Sequence, residues 1–161
     1  MWASGTSCNL ATNPVSGCTQ KTWTQPTIFD SLNVSSVSYK MYSNSTDGHC
    51  AGEAGLEGVA RHKEACFDQG EFYKDAAAGT LPAFSFVSPP GEACDHPCHD
   101  IAKGERLLKD MYEALRAGPG WEDTMFFVAY DDGGGFYDHV SSIYKREDSS
   151  SENQDYSVEK C

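Results

Sequence analysis

Apolar positions fall in short clusters whose period switches between that of a helix and that of a strand. Residues 27–32 put Ile28, Phe29 and Leu32 on one face of a short helix. Residues 37–42 alternate Val, Tyr and Met with polar side chains, the pattern of a half-buried strand. Residues 43–69 are polar and irregular and are expected to form mainly a surface excursion. Residues 71–78 suit a helix that stops at Gly79. Residues 82–88 read as a strand ended by Pro89-Pro90. Asp100 stands where an N-cap belongs, and Ile101, Leu108, Met111, Tyr112 and Leu115 follow at helical spacing up to Gly118-Pro119-Gly120. The continuous apolar run at 125–130 predicts a strand covered on both faces, as in a parallel sheet.

Strands alternating with helices predict an α/β fold, a mostly parallel sheet flanked by helices. Ligands of such sheets lie beyond the carboxyl ends of the strands. Three polar clusters are placed to converge there: residues 4–7, 95–100 and 131–139. Residues 1–25 are rich in Ser, Thr, Gly and Asn and read as loop, whereas 141–161 form a charged, Ser-rich tail expected to be disordered.

Charge narrows the partners. A net charge of −12 over 161 residues leaves no basic stripe for nucleic acid. An anionic substrate would need a bound cation or local donors. Seven cysteines and two sequons, at Asn33 and Asn44, together point to an oxidising, secretory compartment. Neighbours in sequence offer Cys8–Cys18, Cys50–Cys66 and Cys94–Cys98 as bridges and leave Cys161 unpaired, although spacing does not fix connectivity. The first residues carry neither the basic start nor the apolar stretch of a signal peptide, and no run is long enough to span a membrane. A secretory composition without a signal leads to the expectation that the chain is a piece of something larger.

The strongest chemical cluster is Tyr130-Asp131-Asp132-Gly133-Gly134-Gly135-Phe136-Tyr137-Asp138-His139. Adjacent carboxylates at a strand end are costly unless compensated, and a divalent cation with oxygen ligands compensates them. A solvated Gly-rich turn fits the spacing about equally well. Cys94-Asp95-His96-Pro97-Cys98-His99-Asp100 offers imidazoles able to assist a phosphoryl or leaving group. The same stretch also reads as a capped helix start with bridged cysteines, or as a zinc knuckle of Cys94, His96, Cys98 and His99, for which a second ligand pair at suitable distance is missing. Ser4-Gly5-Thr6-Ser7 reads by composition as a turn.

The segments 81–84, 95–100, 112–115 and 130–140, together with 26–32, resemble the phosphoesterase family, which contains non-specific phospholipases C and related acid phosphatases. The resemblance covers residues 1–140 and implies a partial phosphoesterase domain with an alkaline-phosphatase-like fold, followed by the tail at 141–161. It implies metal-dependent hydrolysis of phosphate esters, soluble or phospholipid, with calcium, magnesium, manganese or zinc as the ion. Asp131 and Asp132 match the family's acidic metal pair, Thr6 its hydroxyl nucleophile, and His96 a histidine near the phosphate. Asp95, His99, Asp100, Asp138 and His139 are then substrate-contacting or supporting residues. The family's opening segment, similar to Glu-Asn-Arg-Ser-Phe-Asp, supplies further metal ligands and has no counterpart here. An incomplete domain is therefore expected, and a catalytically inactive, secreted, disulfide-stapled interaction or cation-binding module is the alternative.

Overall fold

The structure, a computed structural model, describes residues 26–44, 61–95 and 99–130. Helix α1 spans Ile28–Val34 and strand β1 Tyr39–Ser43. A short 3-10 turn leads into β2, Cys66–Asp68, followed by α2, Gln69–Ala78. Strand β3, Phe84–Ser88, and helix α3, Ile101–Ala117, complete the regular elements. The strands form one parallel sheet in the order β2-β1-β3.

Each helix begins where the sequence supplies a cap. Thr27 accepts the Asp30 backbone N–H through its hydroxyl, and Asp30 accepts the Thr27 backbone N–H at 2.6 Å, a reciprocal capping box. Asp68 caps α2 by accepting from Gly70 at 2.7 Å, and Asp100 caps α3 by accepting from Ala102 at 3.0 Å. Helix α2 ends at Gly79, whose φ of 68° is left-handed.

Strand β1 lies in the centre, and its consecutive residues feed two cores. Met41 packs with Phe29 of α1 and with the partly buried Leu32, Phe84 and Phe86. Its neighbour Tyr42 faces the other way, into Phe72 and Ala76 of α2 and Met111 and Leu115 of α3. The result is three layers: α1, the sheet, then α2 with α3.

Three expectations need correction. Strand β1 starts at Tyr39 rather than Val37, because the Val37 N–H is committed to the Leu32 carbonyl at 2.9 Å in the turn that closes α1. It is also no half-buried strand, since Met41 and Tyr42 are both fully buried. Part of the expected surface excursion is strand β2, a three-residue edge too short to show any period. The third correction matters most. Residues 124–130 form no strand; Met125 is 90% exposed and Phe127 79%, and of the apolar run only Phe126 packs on the α2/α3 core. Continuous hydrophobicity shows that a segment is fit for burial, but pairing depends on a neighbour. The expected tail at 141–161 lies outside the described residues.

Candidate functional site

Parallel strands carry their carboxyl ends to one edge, where Ser43, Asp68 and Ser88 end β1, β2 and β3. From Ser88 the chain passes Pro89-Pro90 and a 3-10 turn at Gly91–Ala93 before Cys94 and Asp95. Lys103 in the first turn of α3 pairs with Glu92 of that turn at 3.4 Å. The loop bearing the expected chemistry is thus held between a strand end and a helix start.

Within it, Asp95 has an unusual setting. Its φ is +56°, in the left-handed region, and its Oδ1 is buried with no hydrogen-bond partner. Its Oδ2 accepts the Tyr130 hydroxyl at 3.2 Å. That carboxylate beside it raises the Tyr130 phenol above its ordinary value. The carboxylate lies so close to Gly104 of α3 that a Cβ there would collide with it.

Cys94 and His99 also meet, the Cys94 Sγ lying 3.3 Å from Nδ1 of His99. The thiol donates to the Gly91 carbonyl at 2.9 Å. Cys94 is a free cysteine, which corrects the expected Cys94–Cys98 bridge: its sulfur is satisfied by a carbonyl and an imidazole instead of a second sulfur. Asp100 serves α3 as its cap. Cys66 is disulfide-bonded, and because Cys94 is free its partner lies outside the described residues. Asn33 and Asn44 are exposed. Thr6, His96, Asp131, Asp132, Asp138, His139, Cys8, Cys18, Cys50 and Cys98 all lie outside the described residues.

Two polar networks went unanticipated. On the α1 face, buried His62 bridges the Tyr39 hydroxyl (2.7 Å, through Nδ1) and Asp30 (3.0 Å, through Nε2). Arg61 reaches the same carboxylate at 2.9 Å. Burial alone would raise the Asp30 carboxyl, but hydrogen bonds from Arg61, Thr27 and His62 outweigh it and hold the group well below the usual carboxylate range. On the other face, Asp75 accepts from Lys40 (2.6 Å), Tyr42 (2.7 Å) and Thr80 (3.0 Å). The Lys40 hydrogen bond is the main cause that lowers Asp75, while burial first and Asp75 second push the Tyr42 phenol up. The Thr27-x-x-Asp30 spacing is a readable capping signal; nothing in the sequence marks His62 or Tyr130 as partners of distant carboxylates.

Among the described residues no group of three or more His, Cys, Asp or Glu is placed to hold a metal ion. Carboxylate donors such as the Asp131-Asp132 pair suit a hard divalent cation in chemistry. No helix among the described residues is long and apolar enough to cross a membrane.

Fold and site together define a parallel α/β protein in which the end of β3 leads, through a 3-10 turn, to Cys94 and Asp95 and on to His99 and the α3 cap Asp100. The family match is direct: residues 1–158 match the phosphoesterase family, and the chain belongs to it. It is 45% identical over 82 residues to non-specific phospholipase C6 of Arabidopsis thaliana, covering 46% of this chain and 16% of that protein. It is 33% identical over 152 residues to non-specific phospholipase C1 of the same plant, covering 88% of this chain and 27% of that protein. Hemolytic phospholipase C of Pseudomonas aeruginosa is 40% identical over 70 residues, covering 43% of this chain and 10% of that protein. The chain therefore spans between a tenth and about a quarter of these relatives.

Proposed function

We propose that the protein hydrolyses phosphate esters in the manner of a phospholipase C. The observation that carries this reading is the family match over residues 1–158, a span that includes all three polar clusters. Asp131 and Asp132 are the residues that would hold a divalent cation, which when bound would offset negative charge and polarise a phosphoryl oxygen. The chain's own groups supply the covalent steps. The Thr6 hydroxyl loses its proton to solvent as its oxygen forms a bond to phosphorus and the bond to the leaving oxygen breaks, and His96 gives the leaving oxygen its proton. Water then cleaves the phosphoryl-threonine and frees the nucleophile. Asp95, His99, Asp100, Asp138 and His139 support this constellation.

A cation also answers the charge problem, because a chain of −12 repels an anionic ester at long range. The disulfide at Cys66, with the exposed Asn33 and Asn44 sequons, supports a secreted or secretory-lumen location.

The test is hydrolysis of p-nitrophenyl phosphate and of phosphatidylcholine vesicles, with and without calcium, magnesium, manganese or zinc. Thr6→Ala and Asp131→Asn should each reduce turnover by about a hundredfold or more. Undiminished turnover in both removes these roles. No turnover with a flat calorimetric trace for all four ions would favour a non-catalytic interaction module.

A further inference from the structure

We propose that residues 125–130 join two copies of this chain: the run of one copy lies antiparallel against the same run of the other, with Phe127 on the twofold axis. The proposal stands apart from the ester-hydrolysis reading, and every residue it uses is a described one.

Two properties of the run point to this. Its side chains are apolar and uncovered, Met125 being 90% exposed, Phe127 79%, Tyr130 67% and Val128 46%. Contiguous apolar stretches are seldom left bare on a soluble chain unless they are contact surfaces. Its backbone is equally uncommitted. Among the described residues no backbone hydrogen bond reaches 125–130, and β3 at the margin of the sheet pairs with β1 alone. A row of unpaired N–H and carbonyl groups is a template for another strand. A lipid surface would cover the side chains but leave those groups without partners, so a polypeptide fits better.

The run is also held in place. Phe126 packs on the α2/α3 core, and the Tyr130 hydroxyl donates to Asp95 at 3.2 Å. Ordering it on association therefore costs less than ordering a loose segment.

The partner that fits is the run itself. Twofold antiparallel pairing sets the same patch against itself, as an isologous interface requires. With Phe127 on the axis, Met125 stands opposite the partner's Ala129, and apolar side chains meet on one face of the ribbon. No residue from Met125 to Tyr130 is charged, so the run itself opposes no like charges although each copy carries −12. The exposed side chains offer at most about 600 Å² per copy, so the pair buries about 1,200 Å², the lower end for a specific interface. A weak dimer in the micromolar range is the consequence.

The experiment is sedimentation velocity of the 161-residue chain from about 1 to 100 μM. A concentration-dependent shift from monomer to dimer is expected, and high salt should strengthen it by screening the net negative charge. Phe127→Asp and Met125→Asp place like charges in the contact and should each weaken association at least about tenfold. Val34→Asp adds the same charge at an 86% exposed position on α1 and should leave association unchanged. Amides at 125–130 should exchange more slowly as the concentration of the unaltered chain rises. A monomer throughout the range overturns the proposal. So does a dimer that survives denaturation without reductant, which would be a disulfide, or one that Val34→Asp weakens as much as Phe127→Asp. A monomer that co-sediments with phosphatidylcholine vesicles, and loses them on Phe127→Asp, would assign the run to lipid instead.

Discussion

His62 and Asp30, 32 residues apart in sequence, meet at 3.0 Å beneath helix α1. The imidazole is only 6% exposed, and its other nitrogen serves the Tyr39 hydroxyl. Removing it takes the buried partner from the Tyr39 hydroxyl and one of several donors from Asp30, which keeps Thr27 and Arg61. We expect His62→Ala to lower stability by about 1–3 kcal/mol, read from the urea unfolding midpoint, and His62→Gln to restore part of the loss.

Acid should unfold the chain through Asp30 and Asp75. Both sit below the ordinary carboxylate value of 3.8 in the folded state. As pH falls through that value the unfolded chain takes up protons that the folded chain refuses, so stability is full above it and drains away below. Asp30→Asn should start less stable near neutrality and lose less on acidification. Chemical unfolding at pH 6 and pH 3 checks this; an unchanged pH slope in the variant would remove Asp30 from the account.

Phe126 and Phe127 are neighbours with opposite environments. Phe126 packs on the α2/α3 core, and Phe127 stands in solvent. Phe126→Ala should cost about 1–2 kcal/mol, less than a fully buried Phe because the ring is only partly covered. Phe127→Ala should stay within about 0.5 kcal/mol. Thermal denaturation of the two variants distinguishes them, and equal losses would mean that 125–130 is covered on both faces after all.

Gly79 closes α2 with a φ of 68°, and a Cβ there would stand 2.7 Å from Cγ of Pro119. Strain and contact act in the same direction. Gly79→Ala should destabilise by at least about 1 kcal/mol, whereas Gly79→Asn, which bears a left-handed backbone more easily, should suffer chiefly from the contact. Circular dichroism melts provide the comparison.

Helix ends were the most legible part of the chain. Asp100 reads as the cap of α3 and Gly79 as the stop of α2, and both hold; Thr27 and Asp68 cap through equally short bonds that went unread. Such signals are local, so a single sequence holds all the information. Strand β3 was legible for a similar reason, being short, apolar and cut off by two prolines. Of the site, the loop 95–100 could be read as to residue type, and Asp100 as a cap. The free Cys94, satisfied by Gly91 and His99, could not be told from a bridged one by spacing.

By itself the sequence determined the α/β alternation, the Gly79 stop of α2, the Asp100 start of α3 and the family, because these rest on period, local hydrogen bonding and motif. Only the tertiary structure decided that Met41 and Tyr42 fill opposite cores, that β2 is an edge strand, and that the apolar run at 125–130 stays largely exposed. It also decided that Asp95 leans on Gly104 to reach Tyr130. Burial and side-chain pairing depend on which distant surfaces meet, and a local pattern carries only the capacity to meet them.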